Sequence, residues 1–378
     1  MVPLMIFGVI HTLVVVLFSF ALGFLTTGFQ PTYQVVKKPA AIEAKAIYLT
    51  GYTAGSKERR EVLIDLVEST ELNAMVIDIK DASGRIFFNT DLALADEVGS
   101  EQIRIPDLEE LIVQLKEKGI YTIARIVVFQ DPYLAQAMPQ IALKSTAGGL
   151  WRDYKGQAWV DPTLKLVWQY NLDLAKKAAE IGFDEINFDY IRFPSDGSIR
   201  QIVYANLDNN TFHAKSLVMA DFYKFVEEQL RFVSVATSAD LFGMVLWRSD
   251  GLNIGQRYED AAKYFDYIAP MVYPSHYPPG FEGFDNPAAH PYEIVYRSLI
   301  RAEKLLDQPK ARLRPWLQDF DLGAVYTPEM ITLQKQATYD SGGFGWMLWN
   351  ASNRYTVGGL LSSDDAGQVA GVDNQPSL

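Results

Sequence analysis

Between Ala46 and Asn350 the chain alternates two hydrophobic rhythms. Short runs rich in β-branched and aromatic residues are apolar at alternate or successive positions, as strands are. Longer runs between them repeat apolar residues every three or four positions, as amphipathic helices do. The predicted strands are AIYLTGY, AMVIDIKD, YTIARIVVF, EINFDYIRF, FVSVATSAD, YIAPMVY, RLRPWLQDF and GFGWMLWN. They begin at Ala46, Ala74, Tyr121, Glu185, Phe232, Tyr267, Arg312 and Gly343. The helical run from Ile105 has a proline at its start and a glycine at its end, the usual polarity of helix punctuation. The run from Asp161 is expected to take Asp161 as its N-cap and Pro162 in its first turn.

Eight strands with helices between them predict a single (β/α)8 TIM barrel, of α/β class, over residues 44–356. An open doubly wound sheet is the alternative. It is disfavoured because no glycine-rich phosphate loop follows the first strand.

The ends of the chain break the rhythm. Val2 to Phe29 contains no charged residue, and its apolar core exceeds the about 20 residues that span a bilayer. Residues 1–29 are therefore expected to be a signal peptide or signal anchor. The basic pair Lys37 and Lys38 lies on its C-terminal side, which by charge alone favours a cytoplasmic body. Ala21–Gly23 resembles a small-x-small cleavage site. The body is expected to be exported, to the cell envelope or beyond, with residues 3–29 as a membrane anchor if uncleaved. A linker is expected over residues 30–43 and a loose polar tail over 357–378.

Strand parity turns the barrel into a candidate site, because alternate residues point inward and active sites lie at the C-terminal strand ends. On the fourth strand Ile186, Phe188 and Tyr190 share the face that packs on helices, so Asn187 and Asp189 point inward. Arg192 lies just beyond. The same alternation puts Val76, Asp78 and Lys80 on one face of the second strand, and turns Arg125 inward on the third. Ser234, Ala236, Ser238 and Asp240 share a small, polar face on the fifth strand. Tyr273 ends the sixth, Arg314, Trp316 and Gln318 share a face of the seventh, and Trp349 ends the eighth. Asp189 is the leading catalytic candidate. Asp78 and Lys80 could equally form an ion pair, Arg125 could brace a buried carboxylate, and Asp240 could cap a loop.

Composition narrows the chemistry. A net charge of -12 argues against nucleic acid or an anionic membrane surface as partner. With no cysteine, disulfides, thiolate zinc sites and thiol nucleophiles are excluded. The four histidines form no paired-ligand pattern, and Asp196, Asp208 and Asn209 lack EF-hand spacing. No metal and no cofactor is expected. Aromatic residues make up 13% of the chain, a share that suits either a large core or a cleft where rings stack on sugars. Trp151 and Trp159 lie in a long loop after the third strand, and loops of that length are usually functional. They could stack on substrate or pin the loop.

GFDEINFDYIRFPSDG, with VIDIKDASG, APMVYPSHY, RPWLQDF and GFGWMLWNASNRYT, resembles a family of uncharacterised TIM-barrel glycoside hydrolases, over residues 44 to 356. That family is distantly similar to the α-amylase-like and α-galactosidase-like barrels. The resemblance implies glycosidic-bond hydrolysis with Asp189 as nucleophile. The acid/base of those barrels comes from the fifth or sixth strand end. Asp240 is the one fifth-strand carboxylate that fits, where the α-amylase pattern has a Glu. Asp78 is the reserve.

Such chemistry needs two carboxyl groups across the scissile bond, about 5 Å apart in a retaining enzyme. One must stay protonated, and Asp240, among small and apolar neighbours, suits that role. Lys80, Arg125, Trp151, Trp159, Asn187, Arg192, Tyr273, Trp316, Gln318 and Trp349 are the expected substrate-binding residues. The substrate expected is an extracellular or envelope polysaccharide, cleaved by a retaining two-carboxylate mechanism. A non-catalytic, glycan-binding TIM barrel at the cell surface is the alternative. A Schiff-base aldolase is weaker, with Lys80 its only candidate lysine.

Overall fold

The computed structural model describes residues 36–307 and 309–366. The expected signal segment and the end of the tail lie outside the described residues. The body from Lys37 onward forms one unit.

Eight parallel strands close on themselves. They are β1 (Lys45–Leu49), β2 (Ala74–Lys80), β3 (Tyr121–Val127), β4 (Glu185–Asp189), β5 (Ala236–Phe242), β6 (Tyr267–Met271), β7 and β8 (Trp346–Trp349). Strand β7 comes in two pieces, Arg312–Leu313 and Trp316–Gln318. Each strand pairs with the next, and β8 returns to β1 through Lys45↔Trp346. The register from β6 to β7 runs Tyr267↔Arg312 and resumes at Met271↔Trp316. Between them Pro270 faces Pro315, and two residues without N–H groups interrupt the ladder there. The predicted (β/α)8 barrel is the fold observed.

Helices α1 (Lys57–Ser69), α2 (Leu108–Glu117), α3 (Lys165–Ile181), α4 (Phe212–Leu230), α5 (Tyr258–Ala261), α6 (Pro291–Leu305) and α7 (Pro328–Asp340) cover the outside. Two apolar layers result. The outer one packs strand residues such as Ile186 and Phe188 against Phe222 and Phe265 from the helical layer. The inner one fills the barrel with Ala46, Ala74, Val76, Ile123, Ala269 and Met347. Near its lower end the interior also holds a buried ion pair between Glu185 and Arg314, and Tyr121 donates to the same carboxylate.

Several local expectations need correction. Strand β5 starts at Ala236, so Ser234 is exposed before it. Helix α3 starts at Lys165, and Asp161 does not cap it. Instead Asp161 accepts from Thr163 N and, across to the next long loop, from Ala205 N. The tail is not loose at its start. Glu71 and Leu361 exchange hydrogen bonds, and Val357–Gly359 forms a 3₁₀ turn.

The largest correction concerns Lys80. The β2–β3 register runs Asp78↔Arg125 and then Lys80↔Ile126, so a bulge falls between Asp78 and Lys80. One extra residue reverses the parity of the positions after it. Lys80 therefore leaves the barrel interior and lies fully buried in the outer layer, with its Nζ 2.8 Å from Asp131. It also donates to Val127 O and Asn171 Oδ1.

Removing one partner of a buried ion pair strands the other, at a cost of about 3–5 kcal/mol. Lys80→Ala is expected to lower unfolding free energy by that order in urea titration, because it leaves Asp131 unpaired. The folded fraction should keep its activity. Unchanged stability would contradict the pairing.

Candidate active site

Strands β2, β3 and β4 lift three charged side chains toward the same end of the barrel. Asp78 is opposite Arg125, Arg125 opposite Asn187, and Asp189 opposite Val127. Arg125 becomes the hub. Its Nη1 donates to Asp78 Oδ1 at 2.5 Å and its Nη2 to Asp189 Oδ2 at 2.5 Å. Its Nε lies 3.2 Å from Asp189 Oδ2 and 3.9 Å from Asp240 Oδ2. All four residues are buried. The guanidinium also lies 5.6 and 5.1 Å from the ring centres of Tyr48 and Trp349, which stack on each other at 4.0 Å beside it.

One cation thus faces three carboxyl groups in a dry setting, and the shortage of positive charge determines which of them keep protons. Asp78 has the better share, because Tyr48 also donates to its Oδ2 at 2.5 Å. Burial outweighs both partners and pushes its carboxyl up to about 6. Asp240 has the poorer share. Asn187 Nδ2 and Trp316 Nε1 both donate to its Oδ1 at 2.8 Å, and Oδ2 meets no close cation. Burial, and then the charge of Asp189, hold its carboxyl well above the ordinary range. Oδ1 already accepts from two donors, which leaves Oδ2 as the oxygen suited to carry a proton.

Asp189 is fixed from both sides. Oδ2 takes Arg125, and Oδ1 accepts the Tyr190 amide at 2.6 Å. Tyr190 has φ of +51°, unusual for an aromatic residue. Strand β4 ends at Asp189, and this turn takes Tyr190 out of the expected alternation. Its half-buried ring lines the cleft while still packing on the outer core cluster.

A cleft of about 530 Å³ opens over Asp189 and Asp240 at these strand ends. That lies within the 300–1,000 Å³ usual for small-molecule sites, roughly the room a few sugar units need. Arg125, Tyr273, Trp316 and Trp349 also line it. So do residues that strand parity did not identify: Met244, Leu252, His276 and Tyr277, which lie past the strand ends, with Phe242 and Met271 as the last residues of β5 and β6. They give the cleft one mainly apolar wall. Among the described residues no acidic or histidine cluster could hold a metal ion; the positive charge of the site is Arg125.

The reserve catalytic residue Asp78 and the other expected binding residues lie outside the cleft. Asp78 and Asn187 support Arg125 and Asp240 from below. Trp151 is buried and donates to Ser198 O, while Trp159 donates to Asp153. Both pin the long loop after β3, whose Lys144–Ser145 pairs with Ile202–Val203 in the loop after β4. Arg192 is enclosed by Trp159, Tyr190 and Phe242 and donates to Phe193 O. Gln318 accepts from Ser275 N and donates to Phe320 O. Each is consumed by loop architecture, a use that residue type alone does not separate from substrate contact.

A family model described as "Putative glycosyl hydrolase domain" matches residues 46–355. No curated protein matches the sequence. Among solved structures, a hypothetical protein from Ruminiclostridium thermocellum is 36% identical, covering 51% of this chain and 96% of that one at a TM-score of 0.47. The PgaB (BpsB) glycoside hydrolase domain of Bordetella bronchiseptica is 15% identical, covering 89% and 100% at 0.62. The α-galactosidase of Thermus thermophilus, solved with stachyose, is 14% identical, covering 90% and 67% at 0.51. At such identities the last two show a shared fold.

The raised Asp78 carboxyl makes stability pH-dependent. A carboxyl raised in the folded state stabilises below its ordinary range, near pH 4, and that contribution is lost as pH rises through about 6. Asp78→Asn lacks this loss. Urea unfolding across the interval should show the difference between wild type and variant moving in the variant's favour by on the order of 2–3 kcal/mol. A difference constant with pH would contradict it.

Proposed function

The chain belongs to the glycosyl hydrolase family whose model spans its barrel, and from that premise we propose that it cleaves polysaccharide by a retaining, two-carboxylate mechanism. The observation that carries this reading is the unequal treatment of two carboxyls lining one cleft. Asp189 is paired with Arg125, whereas Oδ2 of Asp240 has no close cation and burial, then the charge of Asp189, raises its carboxyl well above the ordinary range.

Both carboxyls approach one Arg125 Nε, at 3.2 and 3.9 Å, so their Oδ2 atoms are at most about 7 Å apart. That bound admits the about 5 Å of a retaining pair and excludes most of the 6.5–9.5 Å inverting range. In the first step Asp189 attacks the anomeric carbon while Asp240 gives its proton to the departing glycosidic oxygen. A glycosyl ester on Asp189 results. In the second step Asp240, now a carboxylate, takes a proton from water as the water attacks the same carbon and Asp189 departs. Arg125 assists the departure by stabilising the released carboxylate. Trp349, half-buried in the cleft lining, offers a ring face for the sugar, and the charges of Asp240 and Asp189 both act on the nearby Tyr273 hydroxyl.

The reading includes an exported enzyme that meets its polymer in the envelope or outside the cell. Its support is the uncharged apolar run from Val2 to Phe29 and the absence of cysteine. Among the described residues no helix is long and apolar enough to cross a membrane.

Reducing-end release from a panel of polysaccharides tests the proposal. Asp189→Asn is expected to lose more than about a thousandfold in kcat/KM. Asp240→Asn should lose about 10²–10⁴ on natural glycan, and much less on aryl glycosides whose leaving groups need no proton. Full activity in Asp189→Asn would overturn the assignment.

A further inference from the structure

Helix α6 carries Arg297, Arg301 and Lys304 at i, i+4 and i+7, which places them on one face. With Tyr296, Ile300 and Trp247 this face lines a groove of about 440 Å³ on the outside of the barrel. A basic stripe is unexpected on a chain of net charge -12, and it is largely uncompensated. Arg297 pairs with Glu282 at 3.3 Å. Arg301 donates through Nε to Leu246 O at 2.6 Å and lies 5.1 Å from the centre of the Trp247 ring. Among the described residues neither Arg301 nor Lys304 has a carboxylate within ion-pairing distance.

The groove and the catalytic cleft are separated by a wall of packed aromatic side chains. Tyr277 lines the cleft, its ring meets Phe281 at 4.6 Å, and Phe281 meets Trp247 edge-on at 4.8 Å. Ser298 Oγ ties the two ends together, bonding the Tyr277 hydroxyl at 3.1 Å and accepting from Trp247 Nε1 at 3.0 Å. A run of contacting rings therefore lies between the cleft wall and an indole flanked by cations without an acidic partner. Aromatic faces suit sugar rings. A guanidinium and an ammonium with no acidic partner suit carboxylate or phosphate groups.

We propose that this groove is a distal subsite for an anionic glycan strand, one whose sugars carry carboxylate or phosphate groups. The inference rests on the reading of the cleft as a glycan site and names the class of polymer it takes. Trp247 stacks a sugar several units from the cleaved bond, and Arg301 and Lys304 hold its acidic substituents. Neutral strands receive only the stacking, so selectivity falls as salt screens the two cations.

Binding is separable from hydrolysis and is measured by calorimetry on the full chain carrying Asp189→Asn. The probes are an oligogalacturonate, a phosphorylated mannan oligosaccharide and a neutral mannan oligosaccharide of similar length. At least one anionic probe is expected to bind about tenfold more tightly than the neutral one at low salt. Whichever anionic probe binds better identifies the acidic group. Arg301→Ala with Lys304→Ala should remove that advantage. Because Arg301 also bonds Leu246, Lys304→Glu alone, at an exposed position, should move affinity the same way. Activity of the groove variants, made without Asp189→Asn, on a small aryl glycoside should match wild type. Equal affinity for neutral and anionic probes, or anionic binding that the variants do not change, would overturn the groove assignment. Groove binding without any hydrolysis by the Asp189-intact chain would leave the groove standing and reject the catalytic reading.

Discussion

The site is organised by a scarcity of positive charge: one buried guanidinium, Arg125, serves Asp78, Asp189 and Asp240. Three buried carboxylates around one cation cannot all be ionised without large cost. The geometry decides the ranking. Asp189 takes two of the three donor nitrogens and a backbone amide. Asp78 takes one nitrogen and a tyrosine hydroxyl. Asp240 takes an amide and an indole but no close cation. Two carboxyls in unequal electrostatic surroundings, side by side, follow from this allocation, without any group of unusual intrinsic chemistry.

The barrel exists to hold that allocation rigid. Neighbouring strands place Asp78 and Arg125 in direct register and bring Asp189 one step higher. Small inner residues such as Ala46 and Ala74 share the barrel interior with the indole of Trp316. Tyr48 is held in turn through its carbonyl, which accepts from Asn353 Nδ2 and the Tyr355 hydroxyl beyond β8. The end of the barrel sequence thus braces the beginning, and both support Arg125.

Much of this was legible in the residues. Period-two runs located all eight strands, because a closed barrel buries both strand faces and favours apolar, β-branched sequence. Parity turned Arg125, Asn187, Asp189 and Asp240 inward, and the structure brings them together. Parity failed where the backbone leaves ideal geometry. The bulge after Asp78 sends Lys80 into the outer layer, and the left-handed turn at Tyr190 brings an expected outer residue into the cleft. The apolar wall was invisible for another reason. Met244, Leu252 and Tyr277 belong to loops, where no periodicity says which way a side chain faces. Trp151, Trp159 and Arg192 had the right chemistry for a cleft, but loop packing claimed them first.

The central claim is that burial and the neighbouring Asp189 keep Asp240 protonated beside an Asp189 paired with Arg125. Carbon-13 NMR of the aspartate side-chain carboxyls reads this directly, with Asp240→Asn assigning the resonance. The account expects the Asp240 carboxyl to remain in its protonated chemical-shift position well above the ordinary aspartate range, near pH 4. An Asp240 signal that titrates with exposed aspartates would contradict it, and with it the division of the two carboxyls into acid and nucleophile.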